Sequence, residues 1–293
     1  MGNLLERLPS GSRIAVIRLR SLGDCVLTTP ALALLKQHRA DLRITVVVEP
    51  RFAAVFEGNP DVDEIRPAPG RADLALNLHG GTRSMWITAA SGAQYRAGFG
   101  HHRYSFLYSH RIPRAQEILG VERAVHTAEH LASAMFWLGV PHGEIPRAKL
   151  IAGERPDLPP YAVIHPFASA PEKTWPASRF LELARRLPGL TPVFLAGPDD
   201  DAAPFSSFPV WKNEPLARVK NLMSGASLFI GNDSGPAHIA AAFGVPVAAI
   251  FGASDPATWA PWRTEAQVLR APAIEDIPVE DVAAAIEQLK VRV

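Results

Sequence analysis

Along this chain, short and nearly unbroken apolar runs alternate with stretches in which apolar residues recur at helical spacing. Ile14-Ala15-Val16-Ile17, Ile44-Thr45-Val46-Val47-Val48 and Leu74-Ala75-Leu76-Asn77-Leu78 read as strands covered on both faces, the habit of parallel sheets in α/β folds. Between the first two, Ala31, Leu34 and Leu35 keep a helical period, and Thr29 with Pro30 predicts the cap and first turn of that helix. A short helix near Phe52 to Phe56, a strand near Glu64-Ile65 and a helix over Glu129 to Leu138 complete the first half. Gly153-Glu154-Arg155-Pro156-Asp157-Leu158-Pro159-Pro160 then breaks every regular pattern, and its prolines predict a stiff linker.

After that stretch the rhythm restarts. Strands are predicted at Tyr161 to His165, Val193 to Gly197, Leu228 to Ile230 and Val247 to Ile250, with helices at about Ser178 to Leu187, after Gly235, and near Val279 to Leu289. The reading is two successive doubly wound α/β domains, 1–155 and 156–293, with no internal sequence repeat. Doubly wound units take ligands outside the carboxyl ends of their strands, so two facing units predict a cleft between the domains.

The polar residues that follow these strands carry the candidate chemistry. Gly231-Asn232-Asp233-Ser234-Gly235-Pro236-Ala237-His238 joins an apolar strand to an apolar helix. A helix start presents unpaired N–H groups and the positive end of the macrodipole, a natural seat for a phosphate or diphosphate. Pro236 in the first turn puts the cap at Ser234 or Gly235 and His238 on that turn. Neither the dinucleotide fingerprint nor the P-loop pattern is present. Asp24 follows the first strand of the first half, and Lys173 and Trp175 follow the first strand of the second. Each has a plainer reading: Asp24 as a carboxylate soothing a helix dipole, Lys173 as a solvated loop residue, His238 as a capping or core histidine. Asp199-Asp200-Asp201 suits a solvated helix start better than a magnesium site, Asp61-x-Asp63 reads as a turn, and no cluster has zinc spacing.

Composition narrows the function classes. At 293 residues and 47% hydrophobic, the chain can fill two cores. A net charge of +1 argues against nucleic acid as a partner. The single cysteine, Cys25, excludes an internal disulfide framework, which suits the cytoplasm, and no apolar run is long enough to span a bilayer. Charge is segregated locally: Leu74 to Gln116 contains no Asp or Glu but holds Arg83, Arg96, Arg103, Arg111, Arg114 and four histidines, interleaved with Tyr95, Phe99, Tyr104, Phe106 and Tyr108. That stretch suits an anionic sugar, a phosphate or an acidic membrane surface, and equally an ordinary basic surface with core aromatics.

Arg18-Leu19-Arg20-Ser21-Leu22-Gly23-Asp24 with Thr28-Thr29-Pro30-Ala31-Leu32, then Asn59-Pro60-Asp61-Val62-Asp63-Glu64-Ile65, His165-Pro166, Lys173-Thr174-Trp175-Pro176, Gly231 to Ala240 and Phe251-Gly252-Ala253-Ser254-Asp255-Pro256 resemble, in order, segments of the glycosyltransferase family 9 heptosyltransferases. The resemblance implies a GT-B fold of two Rossmann-like domains, the first for acceptor and the second for nucleotide-sugar. It implies inverting, metal-independent transfer of a sugar, typically heptose from ADP-heptose, to the lipopolysaccharide inner core, with no cofactor. Asp24 is then the base, and Lys173 neutralises the leaving diphosphate with the backbone at Ser234, Gly235, Pro236 and Ala237. Asp233 and His238 hold sugar or phosphate oxygens, and Ser169 meets the phosphates. Arg18 and Arg20 either fix the Asp24 loop or meet an anionic glycolipid acceptor, for which Arg103 and Arg111 are further candidates. Such an acceptor implies a cytoplasmic protein at the inner face of the inner membrane. A nucleotide-sugar epimerase of related architecture and a non-catalytic phospho-ligand binding protein remain the alternatives.

Overall fold

The computed structural model describes residues 3–291. The chain forms two compact units, one ending at Ile151 and the other beginning at Ala152. The Gly153 N–H is held by the Asn221 side chain at 2.8 Å, which ties the start of the proline-bearing stretch to the second unit.

The first unit contains β1 (Arg13–Ile17), α1 (Leu22–His38), β2 (Arg43–Val47), β3 (Glu64–Arg66), β4 (Leu74–Asn77), α2 (Thr82–Ala90), β5 (Tyr95–Phe99), β6 (His110–Ile112), α3 (Ala115–Leu119) and α4 (Thr127–Leu138). Its six strands are all parallel, in the order β3-β2-β1-β4-β5-β6. The central strands β1 and β4 are buried almost throughout, as their unbroken apolar runs require. Helix α1 packs on α4.

The second unit contains β7 (Tyr161–His165), α5 (Ala177–Arg186), β8 (Thr191–Ala196), β9 (Val210–Lys212), α6 (Leu216–Gly225), β10 (Leu228–Asn232), α7 (Gly235–Ala242), β11 (Val247–Phe251), α8 (Pro256–Trp259), β12 (Ala266–Arg270) and α9 (Val279–Glu287). Its parallel sheet runs β9-β8-β7-β10-β11-β12. Counted from each unit's own first strand, both orders are three-two-one-four-five-six. The two halves therefore share one doubly wound topology, although their sequences show no repeat. In each, the strand order reverses at the centre, between β1 and β4 and between β7 and β10, the switch point at which such sheets bind ligands.

One predicted helix start is corrected. Helix α1 begins at Leu22, with Ser21 as its cap, and Thr29 and Pro30 lie inside it. Pro30 has no N–H to give the Val26 carbonyl four residues back, and the Thr29 hydroxyl donates to that carbonyl instead, at 2.8 Å. A pair that reads locally as a helix start thus serves as an internal repair. Strands β5, β6, β9 and β12 carry polar or small residues where the central strands are apolar, which hid them from the pattern. In β5, Gly98 is required because a Cβ there would strike the Tyr108 ring.

Candidate functional site

In the second unit three loops leave the carboxyl ends of neighbouring strands and lock together. The loop after β7 carries Ser169, exposed, and a single helical turn, Pro171–Lys173. The loop after β10 leads through Asp233 into α7, and the loop after β11 carries Gly252 to Asp255. Asn232 Oδ1 accepts the Trp175 N–H at 3.0 Å, which joins the first loop to the second. The Ala253 N–H donates to the Glu172 carbonyl at 3.3 Å, which joins the first to the third. Trp175 is the anchor: its indole is fully buried and donates to the Ile277 carbonyl at 2.9 Å.

Lys173 is held above this junction, its Nζ 4.0 Å from Asp233 Oδ2. That is a loose pair, and the lysine side chain stays partly open to solvent. Burial raises the Asp233 pKa, while Ser254 and then Lys173 act to lower it. Ser234 caps α7 with extended backbone, but its buried hydroxyl finds no hydrogen-bond partner. Pro236 lacks an N–H, and the Ala237 N–H closes on the Ser234 carbonyl at 3.2 Å. The Ser234 and Gly235 amides, rather than all four backbone positions, are therefore what this helix start offers a ligand. His238 is buried on the first full turn, edge-on to Trp259 with ring centroids 6.4 Å apart.

In the first unit the switch point gathers the loops after β1 and β4. Asp24 is the third residue of α1, where a carboxylate also favours the helix dipole. The Ser21 hydroxyl donates to Asp24 Oδ2 at 2.9 Å, and Arg18 Nη1 donates to Oδ1 at 3.2 Å. Asp24 retains an exposed edge, whereas Arg18 is buried and its Nη2 donates to the Leu78 carbonyl. Of its two open readings, this geometry commits Arg18 to fixing the Asp24 loop. Arg20, two residues on, is exposed, as are Arg103 and Arg111.

A group of histidines beside this pair escaped the sequence pattern. His79 follows β4, His101 and His102 follow β5, and His130 lies on α4. His130 stacks on Phe99 with centroids 4.0 Å apart, and His101 meets His102 edge-on at 4.6 Å. Burial, then neighbouring His101 and Arg18, pushes His102 and His130 down to about 4. His79 is also lowered, by burial and then Arg18, and the buried Nδ1 atoms of His79 and His102 lack partners. Burial therefore disfavours the charged imidazolium at each of these four positions. Their only sequence signal was the acid-free run around three of them.

The other carboxylate candidates serve the fold. Asp200 accepts the Gly197 N–H at 2.7 Å and closes a turn, Asp201 accepts the Ala203 N–H at 3.0 Å at the start of the helical turn Ala203–Phe205, and Asp61 and Asp63 pair with Lys149 and Lys36 at 2.6 and 2.8 Å. Among the described residues no group of three or more His, Cys, Asp or Glu is placed to hold a metal ion, and no helix is long and apolar enough to cross a membrane.

Comparison with known proteins bears on the family and the fold. The profile of "Glycosyltransferase family 9 (heptosyltransferase)" matches residues 69–285. Lipopolysaccharide heptosyltransferase 3 of Escherichia coli is 26% identical over 318 residues, covering 90% of this chain and 90% of that protein. A glycosyl transferase family 9 structure from Veillonella parvula superposes with a TM-score of 0.84 at 24% identity, covering 95% of this chain and 97% of that one. The E. coli heptosyltransferase WaaC with ADP gives 0.79 at 18% identity, covering 94% and 99%. The fold is the GT-B fold of these structures.

Proposed function

This chain belongs to glycosyltransferase family 9 (heptosyltransferase), and we propose that it transfers a sugar with inversion and without a metal, from ADP-heptose to a lipopolysaccharide core or related anionic glycolipid. Such an acceptor places the protein in the cytoplasm, peripheral to the inner face of the inner membrane. The observation that carries the donor half is the seat at the second switch point. Lys173, loosely paired at 4.0 Å, and the buried, unpartnered Ser234 hydroxyl sit on loops fastened to each other at the start of α7. A cation and a helix start are thus held on loops joined to each other, the kind of groups a departing diphosphate demands.

In the reaction, the Asp24 carboxylate takes the proton of an acceptor hydroxyl while that oxygen forms a bond to the anomeric carbon. The bond from that carbon to the diphosphate oxygen breaks, and its electron pair leaves with the ADP. Lys173 and the Ser234 and Gly235 amides meet the charge that grows on that oxygen. Asp233 and His238 border the donor sugar, and Ser169 lies at the phosphate end. Arg18 and Ser21 hold Asp24 in place. Arg20, Arg103 and Arg111 supply exposed cations for the acceptor.

The decisive test is Asp24→Asn, which keeps the side chain's shape. Turnover of ADP-heptose with a lipopolysaccharide-core acceptor is expected to fall by roughly 10²–10⁴-fold, the usual loss of a general base, with ADP affinity unchanged. Normal turnover in that variant would remove Asp24 from the chemistry.

A further inference from the structure

The two most exposed large hydrophobic side chains among the described residues, Trp86 at 63% and Phe106 at 66%, both come from the acid-free run. Trp86 lies on α2, Phe106 on the single helical turn Ser105–Leu107, and these two elements pack against each other. Beside them, Arg103 sits over the Tyr104 ring at 5.4 Å, and Tyr104 meets Phe106 edge-on at 6.4 Å. Arg83 and Arg51 share one carboxylate, Glu49, at 3.0 and 3.1 Å, which leaves this edge net positive. Helix α2 and the turn Ser105–Leu107 follow the carboxyl ends of β4 and β5, the same end of the sheet from which Asp24 follows β1.

We propose that Trp86 and Phe106, rimmed by Arg103 and Arg83, form the surface by which this unit docks on an anionic phospholipid bilayer. The proposal rests on the reading above only in that the acceptor there carries a lipid. An exposed Phe has no polar handle with which to grip a sugar; its gain comes from leaving water, and hydrocarbon just below the headgroups supplies that. The Trp indole suits the boundary itself, with its body in the apolar layer and its N–H among the headgroups. The guanidinium of Arg103, laid over a ring, can keep that contact while meeting a lipid phosphate. A bilayer held at this edge presents a membrane-borne acceptor to the end of the sheet that bears Asp24.

The test uses the full chain and vesicles of phosphatidylethanolamine with phosphatidylglycerol, in the absence of donor and acceptor. The protein is expected to sediment with these vesicles, to release as salt is raised, and to bind phosphatidylcholine vesicles poorly. Trp86→Ser with Phe106→Ser should weaken binding by at least about tenfold, since each ring loses its burial. Brominated acyl chains should quench the tryptophan emission of the native chain, and Trp86→Phe should lose much of that quenching while still binding. Failure to bind anionic vesicles, or undiminished binding by the double variant, would overturn the proposal. So would a double variant that binds vesicles normally but shows a raised KM for a delipidated, water-soluble acceptor, because the rings would then be a saccharide platform. Because binding is read without turnover, vesicle docking by a chain that transfers no sugar would leave this surface standing and the transfer reading fallen.

Discussion

Asn232 and Trp175, 57 residues apart, are joined by a buried hydrogen bond from the Trp175 N–H to the Asn232 side-chain oxygen at 3.0 Å. Trp175 follows Lys173 by two residues and Asn232 precedes Asp233, so this one contact holds the lysine loop to the turn that opens α7. Asn232→Ala would leave the Trp175 N–H buried without a partner, at a cost of about 1–3 kcal/mol. A lowered Tm and a weaker calorimetric Kd for ADP are expected together. Asn232→Asp, which keeps an accepting oxygen, should recover part of both. ADP affinity unaltered in Asn232→Ala would show that the lysine loop needs no such tether.

Gly252 holds the same loop from the other side. A Cβ there would collide with the Glu172 carbonyl oxygen and lie 3.2 Å from the Lys173 Cα, both backbone atoms that cannot swing aside. Gly252→Ala should therefore push Lys173 off the seat. Overpacking of this kind costs about 1–3 kcal/mol, and at the proposed donor site it should lower kcat/KM by about tenfold or more. Gly143→Ala, where the nearest backbone atom lies at 4.0 Å, serves as the control and should leave kcat/KM as it was. Equal behaviour of the two variants would argue against a positioned lysine.

How far the sequence revealed these relationships depends on how local they are. The central strands were legible because burial on both faces forces an unbroken apolar run, as in Ile14 to Ile17 and Leu228 to Ile230. The edge strand Val210–Lys212 was not, since one exposed side admits polar residues and the run dissolves, although the edge strand Glu64–Arg66 was read. The shared strand order was invisible too: topology is set by which strands pair, and no local pattern records that. Thr29-Pro30 misled because a hydroxyl donating to a helix carbonyl and a capping hydroxyl look alike in sequence. Of the proposed site, Asp24, Lys173 and Asp233 to His238 were visible in the sequence as polar residues at strand ends. The histidines at 79, 101, 102 and 130 were not, because only folding brings the ends of β4 and β5 to the face of α4.

Asp233 sets stability against function. Its pKa is raised, chiefly by burial, so the fold disfavours its charge. A carboxyl with a raised folded pKa contributes stability below its unfolded pKa, and that contribution is lost as pH rises through the folded value. Above that value the full cost of burying the charge is present. Asp233→Asn should accordingly raise Tm at pH 7 and change it little at pH 3, where the carboxyl is protonated in both states. If Asp233 borders the donor sugar, the same variant should raise the donor KM or lower kcat. A Tm unchanged at pH 7 would mean that Lys173 and Ser254 fully offset the burial.

The histidines beside Asp24 make the first unit sensitive to acid. His102 and His130 sit near 4 in the fold, against about 6.5 for an unstructured imidazole. Between those values the unfolded chain binds protons that the folded chain refuses, so the contribution of these two residues to stability falls as pH drops from about 6.5 to about 4 and is constant above. For His130, stacked on Phe99 and mostly buried, the loss over that window is on the order of 2–3 kcal/mol. The more open His102 adds less, because solvent screens it. His130→Phe keeps an aromatic ring in the stack and removes the titration. Urea unfolding at a series of pH values should give the native chain a sloping limb below about 6.5 and the variant a shallower one, with the curves converging in slope above neutrality. Parallel limbs would place the acid sensitivity in other groups and leave His130 charged in the fold.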